Sequence, residues 1–358
     1  MSGFNSNKIV ILTQGHSLGP STKTAVNMIH YRPEKILGVL DSEQAGKTTV
    51  DIFKSTHKFP VKATLKEFPD ADALLIGLAP SGGKLPEEWR SIIKEALQKN
   101  LTIISGLHTF LSDDTEFSNL VKSGKGVIFD IRKNNEKEVA DGLGFKDTCL
   151  RIHAVGNDCS LGKMVVTVEI NEYFKKKKID SKFIATGQTG IMIEGDGCPI
   201  DCVVSDFVNG SAEKLVRTHD QHEILLVEGQ GSLFHPKYSA VTLGLLHGCR
   251  PQGLIFCYEA ARKHILHMPG FPLPDHAHAI KTIEHMASIM EPSKVIAIAI
   301  NGKGMTKAEI KEEQKRMEDK FQMTVSDVYI DGPEILANEV LKFQKELIKN
   351  GRLKAKAK

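Results

Sequence analysis

The stretch from Arg151 to Met164, RIHAVGNDCSLGKM, runs from apolar residues into a loop with two glycines and then a lysine. If the apolar run is a strand and Lys163 opens a helix, the unpaired N–H groups of the first helical turn face an anion, and the lysine adds a point charge. The residues that would touch the anion are Asn157, Asp158, Cys159, Ser160, Leu161, Gly162, Lys163 and Met164. The usual phosphate loop reads G-x-x-x-x-G-K-[ST]. Here Gly156 stands one residue early, and Met164 replaces the hydroxyl that holds Mg²⁺. Losing that ligand favours phosphate binding with no strictly required metal over nucleotide hydrolysis. Asp158, Ser160 and Glu228 still offer oxygens to a cation.

A second stretch, EILLVEGQGSL from Glu223 to Leu233, reads as a strand ending in an acid, Glu228, followed by Gly229 and Gly231. Glycines there let backbone pass close to a ligand. Together the two stretches resemble the dethiobiotin synthetase branch of the phosphate-loop proteins, with Met164 and Ser232 departing from its pattern. Three further stretches narrow the resemblance: FIATGQTGIM from Phe183, DCVVSDFVNG from Asp201 with Glu213, and HPKYSAVTLGLLHG from His235. With these the chain resembles a bacterial family that has a Rossmann-like N-domain and a phosphate-loop C-domain. Asp41–Ser42 with Ala45–Gly46–Lys47 resembles that family's N-domain turn. The family's characterised activity is D-glutamate N-acetyltransferase, with acetyl-CoA as co-substrate. The resemblance therefore implies an acetyl-CoA-dependent N-acetyltransferase acting on D-glutamate or a related D-amino acid. An ATP- and Mg²⁺-dependent ligase or carboxylase, or a non-enzymatic nucleotide-responsive protein, are the alternatives.

Acetyl transfer is chemically sensible on these residues. Coenzyme A carries a pyrophosphate and a 3′-phosphate, which suit a helix N-terminus and Lys163. The acceptor amine is mostly protonated at neutral pH and needs a general base. Glu228, Asp206 and His235 are the catalytic candidates, with His247 behind them. Asp206 falls off the apolar stripe of a helix expected over 200–216. The carboxylates of the substrate favour a forked arginine, for which Arg217, Arg250 and Arg262 are candidates. Cys159 invites an acyl-cysteine reading as a lesser alternative. His276, His278 and His285 lack ligand spacing, so no metal site is expected.

These residues need a scaffold, and the sequence describes one. Strand-like runs at 8–13, 35–40, 73–76, 101–105 and 126–131 alternate with helical patterns at 21–31, 86–100 and 115–122. A second series has strands at 150–155, 182–185, 223–227, 253–257, 295–300 and 324–329. Its helices are expected at 162–176, 200–216, 277–290, 307–320 and 333–349. The fold class is α/β, with two parallel-sheet domains: a Rossmann-like domain over 1–149 and a P-loop NTPase-like domain over 150–350. A basic disordered tail is expected over 351–358. The first strand is followed by TQGHSLG, from Thr13 to Gly19, and not by G-x-G-x-x-G, so no dinucleotide fingerprint is present.

The 358 residues are 41% hydrophobic and 25% charged, which excludes wholesale disorder. The net charge of +3 comes from the last eight residues, since without Arg352, Lys354, Lys356 and Lys358 the balance is 43 basic to 44 acidic. A neutral body argues against a nucleic-acid partner. No apolar run reaches membrane length, and no leader is expected at the N-terminus. The six cysteines form no C-x-x-C pair, which fits a cytoplasmic setting. The expected partner is a small-molecule amino acid, in a homo-oligomer.

Overall fold

The computed structural model describes residues 6–19, 21–79 and 83–356. The chain divides into two compact units, Met1–Asn134 with Gln188–Cys202, and Asn135–Gly187 with Val203–Lys358. This differs from a single cut at 149/150. Residues 135–149 belong to the second unit, where Asp141 pairs with Arg217, and residues 188–202 return to the first.

The first unit carries β1 (Ile9–Leu12), α1 (Lys23–Tyr31), β2 (Ile36–Leu40), α2 (Thr49–Phe53), β3 (Val61–Lys62), β4 (Ala73–Ile76), α3 (Arg90–Gln98), β5 (Thr102–Ser105), α4 (Thr115–Lys122) and β6 (Val127–Asp130). All six strands run parallel in the order β3-β2-β1-β4-β5-β6. Strand β1 is aliphatic and fully buried along its length. Against this sheet α3 presents Ile93, Ala96 and Leu97, with Trp89 buried before its first turn. Ile93 and Leu97 each contribute about 1.5–3 kcal/mol on burial. The buried Trp89 indole N–H is satisfied by the Gln14 carbonyl at 2.9 Å.

The second unit opens with β7 (Leu150–Gly156) and α5 (Lys163–Lys176), then β8 (Ser181–Ile184). After an excursion through α6 (Gln188–Glu194) in the first unit, it continues with α7 (Val208–His219), β9 (Ile224–Val227), α8 (Ser239–Cys249), β10 (Gly253–Glu259), a hairpin of β11 (His264–Ile265) and β12 (Met268–Pro272), α9 (His276–Ser288), β13 (Lys294–Asn301), α10 (Lys307–Phe321), β14 (Val325–Ser326) and α11 (Glu334–Lys349). The parallel order is β14-β13-β10-β7-β9-β8. One face of β7, Leu150, Ile152 and Ala154, packs under Val166, Ile170 and Phe174 of α5 and Val340 and Phe343 of α11. Its other face carries Arg151, His153 and Val155.

Two expectations change. The helix expected over 200–216 is broken into single 3-10 turns at Ile200–Cys202 and Ser205–Phe207 before α7 begins, because Val204 faces solvent and the apolar spacing there spans separate elements. The tail is ordered as far as residue 356. Leu353 is buried in the core cluster, Lys354 pairs with Asp147 at 2.6 Å and Lys356 with Asp180 at 2.6 Å. Among the described residues, no helix is long and apolar enough to cross a membrane.

Candidate anion-binding site

The loop between β7 and α5 forms because Gly162 takes a left-handed conformation (φ +102°) and turns the chain into the helix at Lys163. The four N–H groups of the first turn then lack intrahelical partners and face the loop. The Lys163 side chain is buried and donates from Nζ to the Asp158 carbonyl at 2.8 Å. Burial pushes its ammonium below the usual lysine range, while the polar groups of Cys159, Cys257 and Asp158 oppose the shift. The pre-formed loop thus holds a buried, poorly solvated lysine at its centre.

The loop is braced from several sides. Asp158 is fully buried. Its Oδ1 accepts the Cys159 N–H at 2.7 Å, and its Oδ2 accepts the Leu266 N–H and an Arg262 N–H, each at 2.8 Å. Arg262 also donates to the Cys159 carbonyl at 2.7 Å and to Glu259 at 2.6 Å. Ser232 donates to the Gly156 carbonyl, and Asn301 to the Leu161 carbonyl. Asn157 is buried with its Oδ1 lacking a hydrogen-bond partner among the described residues. Ser160 has positive φ and is exposed, Leu161 is buried, and Met164 packs against the core.

Strand β9 neighbours β7 and delivers Glu228 beside the loop. The Glu228 carboxylate is buried, and its Oε2 accepts the Thr186 and Gly187 N–H groups at 2.8 and 3.0 Å. Gly229 follows because the backbone there runs beneath Lys163: a Cβ would lie 1.8 Å from the Ala154 carbonyl oxygen and 2.8 Å from Lys163 Cδ. His235 is buried, its Nδ1 accepts the Lys237 N–H at 3.2 Å, and its Nε2 faces the Leu266 carbonyl at 3.1 Å. With Nδ1 accepting, Nε2 carries the proton. Asp158 and His235 therefore pin both backbone groups of Leu266, at the tip of the β11–β12 hairpin, to the loop. Asp158, Cys159 and His235 offer ligand atoms within 4.8 Å of one another, but this carboxylate and this imidazole are spent on bracing.

The other expected residues lie elsewhere. Asp206 is exposed in its 3-10 turn. Arg217 and Arg250 sit at the amino-terminal edge of the sheet, opposite the loop. Arg217 grips Asp141 through two bonds of 2.8 and 2.6 Å, and Arg250 bonds Glu213 and stacks over Phe145. His247, on α8, donates from Nε2 to the Met286 carbonyl at 3.1 Å. Asp41 in the first unit is buried and organises the β1 loop, bonding Gly15, Ser17 and Glu43. Of the three arginines, only Arg262 meets the loop, and the carboxylate it holds is that of Asp158. The bracing by Ser232, Asn301 and Leu266 was not foreseen. Ser232 alone had a sequence signal, as a polar residue directly after the glycines that follow Glu228.

Residues 138–337 match the model of a P-loop domain of unknown function (DUF1611_C), and residues 42–134 match its Rossmann-like partner (DUF1611_N). A D-glutamate N-acetyltransferase of Tritonibacter scottomollicae is 32% identical over 323 residues, covering 87% of this chain and 92% of that protein. A D-glutamate N-acetyltransferase of a Pseudoalteromonas species is 35% identical over 270 residues, covering 75% and 81%. The crystal structure of a DUF1611 family protein from Anabaena variabilis superimposes with a TM-score of 0.88 at 31% identity, covering 94% of this chain and 99% of that one. With both family domains matched in order on its two sheets, the chain belongs to the DUF1611 family.

Proposed function

We propose that the chain is an acetyl-CoA-dependent N-acetyltransferase that acylates the amine of D-glutamate or a related D-amino acid. The observation that carries this reading is the loop of residues 156–164: buried Lys163 at a helix N-terminus, with Met164 where a Mg²⁺-binding hydroxyl would stand. Its donors suit the phosphates of coenzyme A, and a bound phosphate restores the counter-charge that burial denies Lys163. The names of the two relatives support the acyl group and the amine. In this reading Glu228 holds the 186–187 backbone beside the loop, its Oε2 accepting the Thr186 and Gly187 N–H groups. Arg262 and His235 brace the loop, and Arg217 and Arg250 secure the opposite edge.

The test is calorimetric titration of acetyl-CoA into the wild type and Lys163→Ala, with turnover of D- and L-glutamate measured in excess chelator. Expected are loss of binding by at least ~100-fold in the variant and chelator-insensitive transfer to the D-isomer. Unchanged affinity overturns the loop assignment. Activity that vanishes in chelator and returns with Mg²⁺ and ATP favours the ligase instead.

A further inference from the structure

A cluster in the first unit lies outside the loop and has no part in it. His108 follows β5, Arg132 follows β6, and Asp201 and Cys202 end the segment that returns to this unit. His108 Nδ1 is 3.3 Å from Cys202 Sγ, and its Nε2 is 3.8 Å from Asp201 Oδ2. Arg132 bonds Asp201 Oδ2 from Nε at 3.1 Å and from a terminal nitrogen at 2.9 Å. Its remaining donors reach the Gly106 carbonyl and Gln188. The Arg132 side chain is 9% exposed, Asp201 21% and His108 45%, so the cluster rises from a buried cation to an accessible imidazole. The backbone is fixed on each side: the His108 and Thr109 N–H groups share the Gly83 carbonyl, and the Asn134 side chain holds the Cys202 carbonyl.

We propose that Cys202, His108 and Asp201 form a nucleophilic relay in which Cys202 Sγ is transiently acetylated during transfer. This rests on the acetyl-transfer reading above. A thiol on one ring nitrogen and a carboxylate facing the other, itself held by a third group, is the arrangement that activates a cysteine. The three side chains also offer ligand atoms within 4.8 Å of one another, but Asp201 is already paired with the Arg132 guanidinium. Burial and the charge of Asp201 push the Cys202 thiol up to about 11, against Arg132, so the thiol needs a base to become nucleophilic. Desolvation and the charge of Arg132 hold His108 below the usual histidine value, against Asp201, so the ring is neutral and able to accept.

Each step balances. Cys202 Sγ attacks the thioester carbon while its proton passes to His108 Nδ1. The bond from that carbon to the coenzyme A sulfur breaks, and the departing thiolate takes the proton from Nδ1. The amine then attacks the acetyl-cysteine, and its surplus proton returns through Nδ1 to the Cys202 thiolate. Asp201 stabilises the imidazolium in both halves.

The experiment incubates the full chain with acetyl-CoA without an amino acid, quenches in acid and maps acetylated peptides by mass. An acetyl thioester on Cys202 is expected, with turnover in Cys202→Ala and Cys202→Ser down by at least ~100-fold at unchanged acetyl-CoA affinity. Asp201→Asn should move the acidic limb of the rate profile to lower pH, because the carboxylate that raises His108 is gone. No acetyl on Cys202, with Cys202→Ala transferring at near wild-type rate, overturns the relay and leaves the acetyltransferase reading standing. If the wild type acetylates no D-amino acid, that reading fails, and alkylation of Cys202 by iodoacetamide decides the relay alone. At least ~10-fold slower alkylation in His108→Asn supports it, and equal rates overturn it.

Discussion

The two sheets bury different things at their centres. Strand β1 is Ile9–Leu12, wholly aliphatic, whereas β7 buries Arg151 and His153 among its apolar residues. The two carboxyl edges differ as well. Beyond β7 the loop that carries Lys163 is one continuous run of chain, braced by neighbours. Beyond β5 and β6 the polar cluster is assembled from His108 and Cys202, 94 positions apart. A site written in consecutive residues tolerates little change of backbone, because its atoms are the backbone. A site gathered from distant segments depends on whether each segment returns to its place.

The strongest test of that contrast is Gly229→Ala. The added Cβ meets backbone at 1.8 Å, so the strand end or the loop must move. We expect several kcal/mol of destabilisation, or at least ~10-fold weaker ligand binding where the chain still folds. Urea titration and calorimetry measure both, and wild-type values in each would show the loop to be more pliable than its packing implies.

A second prediction separates the two central strands by pH. Burial, with a smaller push from the charge of Lys163, lowers His153 from 6.5 to about 3, and neither ring nitrogen has a hydrogen-bond partner among the described residues. The unfolded chain binds a proton there that the folded chain refuses. The stability is therefore full above pH 6.5 and is lost as pH falls toward 3, by about 1.4 kcal/mol per pH unit. His153→Leu should flatten that slope in urea midpoints taken across the window. An unchanged slope would move the acid sensitivity elsewhere.

The smallest effect is expected from Glu228→Gln. The amide oxygen can still accept the Thr186 and Gly187 N–H groups, so turnover should fall by less than ~10-fold, against the 10²–10⁴-fold typical of a lost general base. A larger drop in turnover with acetyl-CoA affinity intact would restore Glu228 to the proton-transfer chemistry.

Much of this was readable from residue types. The strand expected at 73–76 is Ala73–Ile76, and the helix expected at 115–122 is Thr115–Lys122. Both are signalled by uninterrupted apolar runs or by periodicity. Helices α6 and α8 gave no such signal. Residues Gln188 to Ile193 are buried on all sides, and α8 is apolar nearly all round, so neither shows an amphipathic stripe. The loop was legible because its chemistry is local. Arg217 and Arg250 were not separable from Arg262 by type, since all three satisfy acidic partners and only tertiary position says which. His108 and Asp201 carried no joint signal, because nothing local links a residue after β5 with one in a returning segment.

That returning segment bears on how the protein can be divided. Expressing residues 1–134 alone, the natural choice from a linear domain map, discards Gln188 and Asp201. Arg132 would then lose both the carboxylate that pairs with it and the Gln188 side chain that bonds it. A fragment of the Rossmann-like half that is to stand alone needs residues 188–202 grafted back onto it.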